Sequence, residues 1–208
     1  MNSIADTNIA GTKTIADWLI IRERLLRLDA QVCCEAFTEY FEARLHLRYL
    51  HPISLLQEHG TFQGEGFSIV AIQCSLIEFL ESTAQGKNYR HKKRHEVLGA
   101  YEYSSSQEVF VAFLRNRAPF SQVFDEASAQ EFYFGVRCGL LHEAQTKNGW
   151  RILAENHVGA IANVKERIVY RNGFQAALLE YIASYGAELQ VDTNLQQAFI
   201  RKFDNLCA

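Results

Sequence analysis

Hydrophobic residues recur three and four positions apart along most of the chain, which is the spacing of an amphipathic helix. One stretch differs: residues 67–82 are apolar nearly all round, as is typical of a helix buried at the centre of a protein. Short connections between these segments favour a helical bundle. We therefore predict an all-α fold of about six helices that forms one domain over residues 1–208, with residues 1–12 flexible. The other clear helical stretches are residues 15–28, 30–49, 104–117, 128–142 and 174–189.

The hydrophobic pattern changes over residues 148–171. Asn148-Gly149 is a typical hairpin turn, and residues 150–154 and 167–170 are rich in side chains that favour β-strands. We predict that these two runs pair as a small β-hairpin or ribbon, inserted after the helix that precedes them.

The composition is that of a soluble globular protein, with 48 % hydrophobic and 22 % charged residues. No run approaches eighteen consecutive apolar residues, so we expect no membrane span, and the first residues lack the basic and apolar regions of a signal peptide. The five cysteines, an odd number without a Cys-x-x-Cys pair, indicate reduced thiols rather than disulfides or a zinc site. These features predict a cytoplasmic protein.

Positive charge is concentrated in one short stretch. The formal net charge is −3, yet residues 87–95 hold five Lys and Arg, two His and no acidic residue, which leaves 16 basic against 24 acidic residues elsewhere. Such a stretch is typical of a phosphate-contacting patch in which an aromatic ring can stack on a base. A solvated loop is the alternative. The candidate RNA-binding residues are Lys87, Tyr89, Arg90, Lys92, Lys93 and Arg94.

Two histidines in this stretch, His91 and His95, are four residues apart and could share a helical face as metal ligands. Lys92, Lys93 and Arg94 surround them and would repel a cation. We therefore predict no metal site, and we expect no cofactor.

The helix predicted over residues 128–142 has two apolar faces. Ser128 and Glu131 form the capping box that is expected to open it. At about 100° per residue, Arg137 and His142 lie about 140° apart with an apolar strip between them. A strip of this kind needs a partner, either another helix of the bundle or a second protomer. The strip residues are Phe134, Cys138 and Leu141, and the core face consists of Phe132, Tyr133, Val136, Gly139 and Leu140.

Arg137 and His142, separated by four residues, with Leu140-Leu141 before the histidine and a turn after it, resemble the signature of the HEPN family. The resemblance is confined to residues 128–150. It implies an HEPN-like helical bundle that dimerises through the apolar strip. It further implies a metal-independent endoribonuclease in which the catalytic Arg and His of two protomers meet in one cleft, with RNA as substrate. An antitoxin-like or other protein partner is a further expectation.

The side chains of Arg137 and His142 are suited to cleaving RNA without a metal ion. The ribose 2′-OH must lose a proton as it attacks the neighbouring phosphate, and the leaving 5′-oxygen must gain one; histidine titrates near neutrality and can do either. Arg137 stays charged and can bind two phosphate oxygens in the transition state. The expected products are a 2′,3′-cyclic phosphate and a 5′-hydroxyl. DNA lacks the attacking 2′-OH, so it would not be cut by this route. Cys138 stands where many family members carry a polar residue, often Asn.

Two other interpretations remain open. A non-catalytic HEPN-like module would use the same cleft to bind RNA, a nucleotide or a protein. A structural interpretation pairs Arg137 with Glu131 or Glu143 at the surface and makes His142 a cation at a helix C-terminus.

Overall fold

The computed structural model describes residues 4–61, 63–155 and 158–208. The protein is mostly helical, with 64 % helix and 8 % strand, which agrees with the predicted all-α class. Two predictions fall partly outside the described residues. These are the β insertion, at residues 156 and 157, and the flexible N-terminal stretch, at residues 1–3.

The helical part contains both α-helices and π-helical turns. The α-helices of the described residues are α1 (Ile15–Leu25), α2 (Ala30–Ala36), α3 (Ala43–Leu45), α4 (His51–His59), α5 (Glu65–Gln85), α6 (Ser106–Asn116), α7 (Glu126–Phe132), α8 (Gly139–Glu143), α9 (Arg171–Leu189) and α10 (Thr193–Leu206). The π-helical turns are Phe37–Glu42, His46–Leu50 and Tyr133–Cys138. The strands are β1 (Asn8–Ala10), β2 (Lys13–Thr14), β3 (Asn88–Tyr89), β4 (Glu102–Tyr103), β5 (Arg151–Leu153), β6 (Ala162–Asn163) and β7 (Ile168–Tyr170).

The chain divides into two compact units, each described by itself. The first unit consists of residues 4–52, 82–104 and 184–208. The second consists of residues 53–61, 63–81, 105–155 and 158–183.

The first unit is packed around aromatic rings from α1, the helical segment after α2, and α10. The ring of Trp18 lies 5.4 Å from that of Tyr40 and 5.1 Å from that of Phe203, measured between centroids. Trp18 Nε1 donates a hydrogen bond to Asp204 Oδ1 at 2.9 Å, and Arg22 Nε donates to the same oxygen at 2.7 Å. One face of α10 therefore supplies both the apolar and the polar contacts that hold α1.

The N-terminal strand is packed into the first unit. Ile9 and Ala10 are buried, and β1 pairs with β2 in antiparallel register. The backbone oxygen of Ile9 accepts a hydrogen bond from Arg44 Nη1 at 2.6 Å. This contact satisfies a buried carbonyl and attaches the strand to the helical segment that follows α2.

α1 begins at a capping box. Thr14 Oγ1 accepts a hydrogen bond from the Asp17 N–H at 3.2 Å, and the Thr14 N–H donates to Asp17 Oδ2 at 2.8 Å. The helix ends at Leu25, before the predicted end, and Leu28 adopts a left-handed conformation with φ of 56°.

Phenylalanine rings fill the second unit. The ring of Phe132 lies 5.6 Å from Phe174 and 6.1 Å from Phe110. Within the same unit Glu81, only 2 % exposed, accepts two hydrogen bonds from Arg117, at 2.8 Å from Nε and 3.2 Å from Nη2. This two-point contact compensates the burial of the carboxylate.

The β insertion differs from the predicted hairpin. β5 pairs with β7 in parallel, with Arg151 opposite Ile168, and β6 is the antiparallel neighbour of β7. The prediction that residues 150–154 and 167–170 form a hairpin is therefore wrong. Arg167, at φ of 55°, lies in the reversal between β6 and β7, so β6 takes the antiparallel position and β5 pairs along the other edge of β7.

α5 is the helix predicted to be apolar nearly all round. By length and composition it could cross a membrane, since its most apolar window has a mean hydropathy of 1.3. However, 56 % of that window is buried inside the protein. This burial is typical of a core helix.

Candidate functional site

The helix that carries Arg137 and His142 begins three residues earlier than predicted. Asp125 is its N-cap: Asp125 Oδ1 accepts a hydrogen bond from the Ser128 N–H at 2.8 Å, and the Asp125 N–H donates to Ser128 Oγ at 2.9 Å. The predicted box of Ser128 with Glu131 is wrong, because Ser128 occupies the third helical position and completes the box of Asp125. The hydrogen bonds from Ser128 lower the pKa of the Asp125 carboxyl.

A π-helical turn over Tyr133–Cys138 separates α7 from α8. A π turn bonds residue i to i+5 and so holds more residues than an α turn. The separation of about 140° between Arg137 and His142, which assumes an uninterrupted α-helix, therefore does not apply across this segment. We call α7, the π turn and α8 together the motif helix.

Two glycines allow the chain after the motif helix to fold back against it. A Cβ atom on Gly135 would lie 2.4 Å from Trp150 Cδ1, and one on Gly139 would lie 2.5 Å from the Gln145 oxygen. The Lys147 N–H donates a hydrogen bond to the Gly135 oxygen at 2.7 Å. The returning segment therefore covers one side of the motif helix closely.

The apolar strip of the motif helix is partly exposed. Phe134 and Leu141 are 49 % and 46 % exposed, and Cys138 is half-buried. The residues predicted to face the core, by contrast, are all buried. Exposed large apolar side chains on a helix next to a predicted site are a feature of interaction surfaces.

Arg137 is directed towards the interior of the second unit. Its side chain is 17 % exposed, and Nη2 lies 3.7 Å from Oε2 of Glu78. The guanidinium carbon lies 5.3 Å from the centroid of the Tyr133 ring, a cation–π distance. Ser106 Oγ donates a hydrogen bond to the other carboxylate oxygen of Glu78 at 3.0 Å. The guanidinium is thus oriented from two sides.

Glu131 and Glu143, the surface partners that the structural interpretation predicts for Arg137, pair with other residues. Glu131 lies 3.9 Å from Arg167, and Glu143 pairs with Lys147. Glu78 was missed because it belongs to α5, far away in sequence. The signal for it is an acidic residue within a nearly apolar helix, since a carboxylate in such surroundings requires a cation or a donor.

His142 is exposed and lies one residue before the end of α8. The pKa of the neighbouring Glu143 carboxyl is lowered, chiefly by the hydrogen bond from Lys147. Ala144 ends the helix in a left-handed conformation with φ of 55°. The imidazole is therefore accessible to a substrate or to a second protein surface.

The buried thiol of Cys74, near Arg137, is poorly suited to act as a nucleophile. Burial raises the pKa of the Cys74 thiol well above its ordinary value, although the charge of Arg137 acts in the opposite direction. Burial also raises the pKa of Tyr133. Cys74 and Tyr133 are therefore neutral near pH 7. Among the described residues no group of three or more His, Cys, Asp and Glu side chains is arranged to hold a metal ion.

The basic stretch of residues 87–95 lies in the first unit. It contains β3, which pairs in parallel with β4, followed by an exposed loop. Arg90 is held by acidic residues: Nη1 lies 2.9 Å from Glu102 Oε2, and Nη2 lies 3.7 Å from Glu96 Oε2. The pKa of the Glu102 carboxyl is lowered by the hydrogen bond from the Gly99 N–H and by Arg90. Arg90 is therefore engaged within the loop.

The other predicted RNA-binding residues differ in accessibility. Lys92, Lys93 and Arg94 are exposed, and Tyr89 is 56 % exposed. Lys87 is half-buried, and its backbone oxygen accepts a hydrogen bond from Lys202 Nζ at 3.0 Å. Three adjacent cations are therefore presented to solvent from one loop.

Comparison with protein families, with curated proteins and with solved structures finds no match for this chain.

Proposed function

We propose that the protein is a metal-independent endoribonuclease of the HEPN type, which cleaves RNA at a composite cleft between two copies of the chain. The observation that carries the proposal is the motif helix: it presents the exposed apolar residues Phe134 and Leu141 together with an exposed His142. Arg137 lies on the same helix, oriented by Glu78.

In this proposal His142 transfers protons. The imidazole of one copy takes the proton of the ribose 2′-OH as that oxygen attacks the adjacent phosphorus, and the imidazole of the second copy protonates the 5′-oxygen that leaves. The bond from phosphorus to the 5′-oxygen breaks as the bond to the 2′-oxygen forms. The products are a 2′,3′-cyclic phosphate and a 5′-hydroxyl.

Arg137 stabilises the transition state in this scheme. Its contact with Glu78 is 3.7 Å long, which is longer than a hydrogen bond, so the donor groups of the guanidinium stay available to a phosphate. The Tyr133 ring and Glu78 fix the plane of the guanidinium, and a preorganised donor loses less free energy on binding the developing charge.

A second copy is required because one imidazole cannot at once accept and donate a proton. In a two-fold symmetric pair the same patch of each subunit forms the interface, so each motif helix would bring its own His142 to the shared cleft. The exposed strip supports this arrangement by supplying an apolar surface beside the histidine. The free cysteines, with Cys34 exposed, support a reducing cytoplasmic location.

A second candidate function is an RNA-binding module without turnover. The observation that favours it is the exposed run Lys92, Lys93 and Arg94, whose cations can contact phosphates without any catalytic group. The carboxylate of Glu78 beside Arg137 points the same way, because its negative charge opposes the binding of a transition-state phosphate at that guanidinium. The cleavage experiment distinguishes the two candidates.

The test is cleavage of a mixed-sequence RNA by the wild-type protein in EDTA. We expect products with 2′,3′-cyclic phosphate ends, loss of cleavage in His142→Ala, and protection by a 2′-deoxy sugar at the cut site. His59→Ala is the matched control, because His59 is also exposed near the end of a helix in the second unit. RNA that is bound but never cut would favour the binding module, and a requirement for added metal would contradict the proposal.

A further inference from the structure

The short parallel ribbon of the first unit carries three tyrosines, in its two strands or directly before the second of them. Tyr89 in β3 is the register partner of Tyr103 in β4, so their side chains lie on the same side, and the rings are 5.7 Å apart. Tyr101 lies in the turn directly before β4. Tyr103 is buried, whereas Tyr89 and Tyr101 are 56 % and 51 % exposed.

The backbone of the ribbon is anchored at several points, and each exposed ring has a neighbour: Tyr89 contacts the Tyr103 ring, and Tyr101 lies against Arg201. The Asn88 N–H donates a hydrogen bond to the Tyr101 oxygen, and the Arg90 N–H donates to the Tyr103 oxygen, both at 2.9 Å. Lys202 donates to the backbone oxygen that precedes β3. Rings that are already ordered lose less conformational entropy when a ligand stacks on them.

Positive charge lies beside the ring of Tyr101 and follows Tyr89 in the sequence. The guanidinium carbon of Arg201 lies 4.1 Å from the centroid of the Tyr101 ring, and Lys92, Lys93 and Arg94 follow Tyr89 in the exposed loop. Cations beside exposed aromatic rings are the arrangement with which proteins bind single-stranded nucleic acids, since the cations contact phosphates while the rings stack on bases.

We infer that this ribbon is a stacking platform for single-stranded RNA, with unpaired bases on Tyr89 and Tyr101 and phosphates on the adjacent cations. The inference rests on the proposed function for the choice of RNA, and it narrows the substrate to unpaired segments. Bases within a duplex are already stacked and cannot reach the rings. A purely electrostatic patch, by contrast, would bind both duplex and single strand, and its affinity would not depend on the tyrosines.

The experiment uses the full-length chain with His142→Ala, so that binding is measured without cleavage. Its ligands are a fluorescein-labelled 12-nucleotide unstructured RNA and a blunt duplex of the same length. We expect the single strand to bind more tightly, and Tyr89→Leu or Tyr101→Leu to weaken its binding roughly 5- to 100-fold. Tyr89→Phe and Tyr101→Phe should restore it, because phenylalanine retains the stacking surface.

Two controls separate stacking from charge. Val97→Ala changes an exposed apolar residue of the same loop and should leave binding unchanged. Lys93→Gln should lower the dependence of binding on salt, whereas the leucine variants should not. Leucine variants that bind the single strand like their parent, or equal affinity for the duplex, would overturn the platform.

The outcome is independent of the catalytic proposal. If the leucine variants lose binding but the wild-type protein never cuts RNA, the platform stands and the endoribonuclease assignment fails. If the wild-type protein cuts RNA but the tyrosines make no difference to binding, the platform alone fails.

Discussion

Arg137 and Glu78 face each other across 3.7 Å inside the second unit, and Ser106 holds the carboxylate from its other side. The side chains of both residues are largely shielded, at 17 % and 22 % exposure. A phosphate that binds Arg137 therefore approaches a guanidinium that already has a negative neighbour. In the proposed function Glu78 therefore weakens RNA binding at Arg137, although Glu78 lies outside the Arg137–His142 motif.

We predict that Glu78→Gln tightens RNA binding about two- to fivefold at low salt. The amide keeps an acceptor for Ser106 and removes a charge whose interaction across a partly exposed pair is worth roughly 0.5–1 kcal/mol. Fluorescence titration with an unstructured RNA measures the change, with both Glu78→Gln and its parent carrying His142→Ala so that the RNA is not cut. Glu131→Gln, an acidic residue on the motif helix that pairs elsewhere, is the control. Unchanged or weaker binding would mean that phosphate does not reach Arg137.

Gly135 has to be glycine for the motif helix to pack. A Cβ atom there would lie 2.4 Å from Trp150 Cδ1, so we predict that Gly135→Ala destabilises the protein by about 1–3 kcal/mol. Urea denaturation followed by tryptophan fluorescence measures the loss. Gly99→Ala is the control, because its nearest neighbour is the flexible side chain of Glu102 at 3.3 Å. Equal stability of both variants would contradict the close contact.

Local spacing predicted much of the helical fold. Helices α1 and α6 fall within the expected stretches, and α5 and α9 cover theirs and extend beyond them. An amphipathic pattern depends on neighbours three and four positions apart, which is why local spacing finds such helices. The pairing of β5 with β7 and the partner of Arg137 depend on residues far apart in sequence, which periodicity does not contain. The π turn was not predicted either. Gly135, which belongs to it, packs against Trp150, and a helical wheel does not represent such a contact.

Asp125 predicts a pH dependence. Its carboxyl accepts hydrogen bonds from Ser128, which lower its pKa below the model-peptide value of 3.8 in the folded protein. A group with a depressed folded pKa contributes stability that is present above its unfolded pKa and is lost as pH falls through the folded pKa. We therefore predict that Asp125→Asn, which keeps an acceptor but cannot titrate, loses less stability than wild type as pH falls below about 4.

The urea midpoint measured between pH 6 and pH 3 checks this expectation. Glu58→Gln, a change of an exposed acidic residue in α4 of the same unit, should follow the wild-type curve. An Asp125→Asn curve parallel to that of wild type would show that the cap carboxylate does not contribute to acid sensitivity.

The exposed strip of the motif helix predicts the oligomeric state and ties it to activity. We expect the wild-type protein to be a dimer in light scattering, and Phe134→Glu to be a folded monomer, because a charge at the centre of an apolar interface is desolvated without a partner. Leu179→Glu changes a residue of α9 with similar exposure, 46 % against 49 %, and should stay dimeric.

Since the proposed cleft needs two copies of His142, the Phe134→Glu monomer should lose cleavage. The RNA platform lies in the other unit and should keep its affinity for a single strand. A Phe134→Glu protein that remains dimeric would place the interface elsewhere, and a monomer that still cuts RNA would refute the composite cleft.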